Sequence, residues 1–200
     1  MYHLLPVRQI LTGVAFLNAF VLAYLAYWFD PSNSSLGVLK YLSASVFVLD
    51  ILIFFVSLYF WRWLWKFIPL LSDMYFPDLN GIWEGRIIFQ SATEQDGLDA
   101  KARIRQNLWS IHIDLYSNTS KSYTLTAYPT FESGNRIIYY VYHNIPKNPE
   151  FSEYKGSSIL EVRSETTPMQ LSGHYFTIRG TRGRIELKRT SLNPNEGYEL

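Results

Sequence analysis

Two long apolar runs with a polar turn between them occupy the first third of the chain. The first run extends from Ile10 to Phe29, and the second from about Tyr41 to Trp65. Each contains the ~20 mostly apolar residues that a helix needs to cross a hydrocarbon core of ~30 Å. The pattern therefore predicts a transmembrane helical hairpin in residues 1–72, with helices over about 10–29 and 41–65.

Basic residues beside these runs predict the orientation of the hairpin. Arg8 precedes the first run, Arg62 and Lys66 lie at the end of the second, and the turn between them carries Asp30 and Lys40. Positive charge flanking a span favours the cytoplasmic side of the membrane. We therefore expect a multi-pass membrane protein with both termini in the cytoplasm.

One polar residue lies near the middle of each run, Asn18 in the first and Asp50 in the second. A carboxyl group inside a membrane costs ~2.5–3.5 kcal/mol or more unless it is paired. Two interpretations of these intramembrane polar residues stay open. Asn18 and Asp50 form a hydrogen bond within one hairpin, or Asp50 joins hairpins in an oligomer or lines a water path.

From Leu79 onward the apolar runs give way to short segments in which apolar and polar residues alternate, the pattern of β-strands. Eight consecutive short strands predict an up-and-down antiparallel sheet, and closing it into a barrel removes its unpaired edges. The predicted fold is an α+β membrane protein, in which the hairpin is followed by an eight-stranded antiparallel lipocalin-like β-barrel over residues 73–200. The predicted strands are Gly81–Gln90, Leu98–Leu108, Trp109–Ser117, Ser122–Phe131, Arg136–Asn144, Gly156–Arg163, Gln170–Arg179 and Arg182–Thr190.

The composition gives little support for catalysis. The chain has no cysteine, and its four histidines stand in no paired metal-ligand spacing. It contains neither a G-x-S-x-G motif nor a cysteine nucleophile. A net charge of +1 indicates no preference for a nucleic acid polymer. We therefore predict no catalytic residue, no metal site and no cofactor, and a protein that is not an enzyme.

Alternation in two predicted strands groups residues suited to a planar, anionic ligand. Tyr175, Thr177 and Arg179 share one face of their strand, and Tyr140, Tyr142 and Asn144 share one face of another. Aromatic rings stack on bases, and arginine forms charge-assisted hydrogen bonds with phosphate. Alternatively, the rings fill the core and Arg179 is a solvated charge at the rim. Periodicity alone does not choose the inward face, because both faces carry apolar residues.

The start of the first predicted strand, Gly81-Ile82-Trp83, resembles the G-x-W motif of lipocalin-like barrels. In those barrels the tryptophan plugs one end, and a basic residue from the last strand often covers it. The resemblance implies that Trp83 is a structural plug, covered by Arg189 or Arg184.

The order of motifs along the whole chain resembles one family. The hairpin is followed by FPDLNGIWEG, IRQNLWSIHI, SKS, IIYYVYHNIP, KGSSILEV and LSGHYFTIRGTRGRIELKR. This series resembles the CBASS anti-phage membrane effectors with two transmembrane helices and a β-barrel, described as SMODS-associating, two-transmembrane and β-strand-rich. In that family the barrel is a receptor for a cyclic dinucleotide.

The resemblance implies a function and a set of residues. Ligand binding in the barrel would drive self-association and disruption of the bacterial inner membrane, which kills the infected cell. The expected partners are a cyclic dinucleotide, the lipid bilayer and further copies of the chain. The residues matched for ligand binding are Gln106, Trp109, Ser122, Tyr140, Tyr142, Asn144, Tyr175, Thr177, Arg179 and Thr181.

Two alternatives remain from the barrel pattern alone. The first is a membrane-tethered lipocalin-like protein that binds an apolar ligand. The second is a filled barrel that serves as an interaction domain. Inward apolar residues without an inward arginine favour the apolar ligand, and a barrel without a cavity favours the interaction domain.

Overall fold

The structure is a computed structural model that describes residues 7–29, 35–55, 76–90, 97–107 and 110–196. The chain divides into two compact units, residues 2–68 and residues 69–200 together with Met1. The predicted domain boundary after residue 72 lies outside the described residues and stays a prediction.

The first unit contains two α-helices, α1 (Val7–Phe29) and α2 (Ser35–Phe55). The hydroxyl of Ser45 in α2 donates a hydrogen bond to the side-chain carbonyl of Asn18 in α1, over 2.7 Å. Asp50 is exposed in this unit. Asn18 thus bonds Ser45 in this unit, and both interpretations of the polar pair Asn18 and Asp50 stay predictions.

The predicted transmembrane hairpin is wrong, and with it the class of α+β membrane protein. Across the described ranges, neither helix is both long enough and apolar enough to cross a membrane. The charged residues Lys40 and Asp50 lie within α2 and lower its apolar character. The predicted multi-pass location in the bacterial inner membrane is wrong on the same finding.

The second unit is a closed barrel of eight antiparallel strands, each paired with the next along the chain and the last with the first. The predicted eight-stranded antiparallel barrel is confirmed, and every predicted strand end lies within two residues of the observed one. The strands are β1 (Gly81–Phe89), β2 (Leu98–Gln106), β3 (Ile111–Ser117), β4 (Ser120–Glu132), β5 (Asn135–Pro146), β6 (Tyr154–Arg163), β7 (Gln170–Thr177) and β8 (Arg182–Ser191).

Trp83 closes one end of the barrel. Its side chain is completely buried, and its indole N–H donates a hydrogen bond to the carbonyl of Leu79 over 3.0 Å. The guanidinium of Arg189 lies 5.7 Å from the centre of the Trp83 ring and donates to the carbonyl of Asp78 over 2.7 Å. Arg189 is therefore the basic residue that covers the plug, while Arg184 forms an ion pair with Glu186.

The seam between β3 and β4 is short. The strands pair at only two positions, Leu115 with Ser122 and Tyr116 with Lys121, whereas β4 and β5 pair along almost their whole length. Beyond those two pairs, Thr124 replaces backbone hydrogen bonds. Its hydroxyl accepts from the N–H of Ile113 over 2.6 Å and donates to the carbonyl of Ile113 over 3.0 Å.

Candidate ligand-binding site

A cavity lies at the end of the barrel opposite Trp83, where β1, β3, β5 and β7 end and the other four strands begin. Its volume is about 80 Å³. One side of the wall is apolar and is formed by Ile87, Phe89, Leu98, Leu115 and Ile185. None of the described residues that line it is charged.

Six of the ten sequence-predicted ligand residues lie together in the opposite, polar side of this wall. Five of them lie on the inward faces of their strands, and one lies in the turn between β7 and β8. The structure thus shows which face of each strand points inward, which periodicity alone did not decide. Tyr139, in contrast, points outward and donates a hydrogen bond to Glu132 over 2.8 Å. The six are Ser122, Tyr140, Tyr142, Asn144, Tyr175 and Thr181.

Two further predicted residues lie at the rim. The hydroxyls of Thr177 and Thr181 are 2.6 Å apart and form a hydrogen bond. Arg179 is exposed, its guanidinium lies 4.3 Å from the centre of the Tyr154 ring, and it donates to the carbonyl of Ser152. Arg179 is therefore a charge at the mouth of the cavity, and its contact with a ligand stays a prediction.

The last two predicted residues are not part of this cluster. Gln106 lies at the Trp83 end, where its side-chain carbonyl accepts from the N–H of Leu79 over 2.8 Å. Its backbone N–H and carbonyl bond the side chain of Asn80. Gln106 thus fixes the closed end of the barrel. Trp109 lies outside the described residues.

Tyr154 lines the cavity but was missed in the sequence. It falls between the predicted strands Arg136–Asn144 and Gly156–Arg163, whereas β5 extends to Pro146 and β6 already begins at Tyr154. The signal was present: the buried alternation of Gly156, Ser158 and Leu160 reaches Tyr154 when it is extended by one step.

Glycines let two tyrosine rings lie flat against the wall. Tyr142 faces Gly156 on the next strand, and Tyr175 faces Gly183. A Cβ atom at position 156 would lie 2.4 Å from Cζ of Tyr142, and one at position 183 would lie 2.7 Å from Cε1 of Tyr175. Both distances are too short for any side chain, so these close approaches require glycine. The two rings therefore lie directly against the backbone of the neighbouring strands.

The tyrosines of the cavity are neutral at physiological pH. Burial raises the pKa of Tyr175 to about 12, and it raises the pKa of Tyr140 and Tyr142 well above that of an exposed phenol. Tyr140 already donates its hydroxyl proton to the carbonyl of Ile113 over 3.0 Å. The tyrosines therefore offer the cavity phenolic hydroxyls and ring faces rather than negative charge.

Three buried polar atoms in this half of the barrel have no hydrogen-bond partner among the described residues: Oδ1 of Asn144, Oγ of Ser158 and the hydroxyl of Tyr175. These residues are 6%, 1% and 5% exposed. Buried polar groups in native proteins are almost always paired, and each exception calls for an explanation. A polar ligand that supplies the missing partners is the simplest one.

Metal binding has no support in this part of the chain. No group of three or more His, Asp or Glu side chains in the described ranges is placed to hold a metal ion. The arrangement is suited to binding a molecule that combines planar rings with hydrogen-bonding edges.

Two comparisons with known proteins bear on this site. The family model of the Cap15 cyclic dinucleotide receptor domain matches residues 74–189, which contain every strand but the last two residues of β8. The chain is also 27% identical, over 127 residues, to CD-NTase-associated protein 15 of Staphylococcus schleiferi; the match covers 64% of this chain and 68% of that protein.

Proposed function

We propose that this chain, which belongs to the family of the Cap15 cyclic dinucleotide receptor domain, is a CBASS effector that senses a cyclic dinucleotide in the open end of its barrel. The single observation that carries the site assignment is the set of unpaired buried polar atoms around the cavity, on Asn144, Ser158 and Tyr175. Leaving such atoms unpaired costs ~1–3 kcal/mol each, a cost that a polar ligand offsets when it binds.

The wall of the cavity suits the chemistry of such a ligand. The rings of Tyr142 and Tyr175 offer faces for stacking of bases, a contact of ~1–3 kcal/mol per base. Arg179 at the mouth offers a cation to the phosphates. Binding needs no chemical step, so we propose a receptor without catalytic activity and without a cofactor.

Binding requires the mouth to open. The cavity of about 80 Å³ is smaller than the ~300–1,000 Å³ of sites for drug-sized ligands. Tyr142 and Tyr175 already lie against glycines and cannot retreat further. Tyr154 is only half-buried, and it is covered by Arg179. We therefore propose that Tyr154 and Arg179 move when the ligand enters.

The proposal extends to the response that follows binding. The bound barrel self-associates, and the assembly disrupts the inner membrane of the infected cell. A ligand shifts such an equilibrium only if it binds the assembled state more tightly than the resting one. Light scattering of the full chain with and without ligand tests self-association, and dye release from liposomes tests membrane disruption.

The test of the receptor function is a calorimetric titration of the purified full chain with a panel of cyclic dinucleotides and their linear counterparts. We expect binding of one or a few cyclic members, weakened about tenfold or more by Tyr142→Ala. Tyr128→Ala on β4, which is not part of the cavity wall, serves as the control and is expected to bind like the wild type. A folded chain that binds no member of the panel contradicts the proposal.

A second candidate function is favoured by one observation. Five apolar side chains form one side of the cavity, and no arginine points into it among the described residues. This arrangement fits a small apolar ligand, as in lipocalin-like carriers. The same titration with a set of fatty acids and hydrophobic metabolites distinguishes the two functions. A carrier of apolar ligands is expected to bind a member of this set and no cyclic dinucleotide, and a nucleotide receptor the reverse.

A further inference from the structure

The inner and outer parts of the cavity differ in charge. Ser158 lies between Tyr140 and Tyr175 in one row across three neighbouring strands. Tyr140 and Tyr175 line the cavity, whereas Ser158 is 1% exposed and lies between them, just behind the cavity surface. We call this row of three residues the floor. Arg179, in contrast, is an exposed cation at the rim, over the ring of Tyr154.

The hydroxyls of the floor are not equally available. The proton of Tyr140 is taken by the carbonyl of Ile113. The hydroxyls of Ser158 and Tyr175 have no partner in the described structure, although both are more than nine-tenths buried. Each can donate one hydrogen bond and accept others. The floor therefore offers two free, neutral hydrogen-bonding groups.

This difference decides which part of a dinucleotide fits where. Burying a phosphate against a neutral floor would leave its charge without a partner, which is strongly unfavourable. A nucleobase edge is uncharged and carries both donors and acceptors, so it matches free hydroxyls.

We propose that Ser158 and Tyr175 are the residues that read the ligand, by binding the polar edge of one nucleobase at the floor while the phosphates stay at the mouth beside Arg179. This inference rests on the proposed function and adds to it the orientation of the ligand and a recognition residue, Ser158, that the sequence did not indicate.

The proposal predicts that two conservative variants are more stable than the wild type but bind the ligand more weakly. Ser158→Ala and Tyr175→Phe each remove an unpaired buried hydroxyl and keep the shape of the side chain. Removing an unsatisfied polar group stabilises the empty protein, so we expect the melting temperature without ligand to rise by about 2–5 °C. The same variants are expected to bind the cyclic dinucleotide about tenfold more weakly, equivalent to ~1.4 kcal/mol.

Matched controls exist on the outer face of β6 and of the neighbouring strand β5. Ser157→Ala is the same change one residue away on an exposed side chain, and Tyr139→Phe removes an exposed hydroxyl. Both are expected to leave the affinity for the ligand unchanged. They separate a general effect of removing hydroxyls from the effect at the floor.

The ligand itself supplies the second arm of the experiment. The tightest-binding cyclic dinucleotide is compared with its analogue methylated on the base N–H. We expect the wild type to bind the methylated analogue at least tenfold more weakly than the parent ligand. We expect Ser158→Ala to bind the analogue about as weakly as the wild type does. The floor is neutral, so Ser158→Ala should leave the salt dependence of binding unchanged. Arg179→Ala removes a cation and should reduce that salt dependence.

The outcomes separate the two proposals. If the wild-type chain binds no cyclic dinucleotide, the proposed function fails and this inference fails with it. If the wild type binds, but Ser158→Ala and Tyr175→Phe bind equally well or the methylated analogue binds as tightly as its parent, the receptor function stands and the assignment of the floor is overturned.

Discussion

Arg189 shows how a single side chain can fix one end of a barrel. It donates a hydrogen bond to the carbonyl of Asp78 and lies over the ring of the buried Trp83. A charge-assisted hydrogen bond and a cation–π contact each contribute on the order of 1–2 kcal/mol when partly buried. The closed end therefore depends on a residue 106 positions away in the chain from the tryptophan that it covers.

We expect Arg189→Ala to lower the free energy of unfolding by ~1–3 kcal/mol. Arg184→Ala is the control, because it removes an arginine from the same strand whose ion pair with Glu186 is largely exposed, and such pairs contribute ~0–1 kcal/mol. Urea denaturation of both variants provides the measurement. Equal losses from the two variants would contradict the role assigned to Arg189.

The buried tyrosines predict a loss of stability at high pH. The pKa of Tyr175 is about 12 in the folded chain, against ~10 for an exposed phenol. The folded state thus holds its protons more tightly than the unfolded state. The stabilisation is complete below about pH 10 and is lost as the pH rises through 12.

Absorbance titration of the phenols, with urea denaturation at each pH, tests this prediction. We expect a group of tyrosines that ionises only as the barrel unfolds, above about pH 11. A chain whose tyrosines all titrate near pH 10 without loss of structure would show that the cavity is open to water.

At the scale of single residues, the sequence predicted several residues that line the cavity, but it also included residues that lie elsewhere. It grouped Tyr140, Tyr142 and Asn144 correctly, because they alternate on one strand. It could not choose their face, since Tyr139 and Val141 on the other face are equally apolar or aromatic. Gln106 was matched to the ligand, although the structure uses it at the closed end.

The strands β3 and β4 form the weakest join in the barrel. They pair at two positions, and beyond these the hydroxyl of Thr124 makes both hydrogen bonds to the backbone of Ile113. Tyr140, which lines the cavity, donates to the same carbonyl of Ile113. The seam is therefore coupled to the cavity through one backbone group.

We expect Thr124→Val to open this seam, because valine has the shape of threonine but neither donates nor accepts. The expected loss is ~1–3 kcal/mol, with faster hydrogen exchange of the amide of Ile113. Thr126→Val on the same strand, at an exposed position, should change neither quantity. An Ile113 amide as protected in Thr124→Val as in the wild type would refute the bridging role.

The elements themselves were predictable to different degrees. Alternation located all eight strands, because a barrel with short connections leaves a regular pattern of period two. The predicted helix over about 10–29 agrees with α1 (Val7–Phe29), whereas the start of α2 was misjudged, because an apolar run does not fix where a helix begins. α2 starts at Ser35, six residues before the apolar run begins at Tyr41.

The barrel as a whole is closed at one end and open at the other. Trp83, Arg189 and the hydrogen bonds of Gln106 fill the closed end, and uncharged residues with two free hydroxyls form the floor below the open end. The order of strands and the plug at the Trp83 end were readable from sequence. The cavity at the open end was not, because the positions of its tyrosine rings depend on which cross-strand neighbours are glycines.

The structure of the full chain bound to its tightest cyclic dinucleotide would test the receptor assignment at atomic level. We predict the ligand in the open end of the barrel, with one base edge within hydrogen-bonding distance of Ser158 and Tyr175 and with Arg179 displaced from Tyr154 toward a phosphate. A ligand bound outside the barrel, or a cavity that stays empty and unchanged, would contradict it.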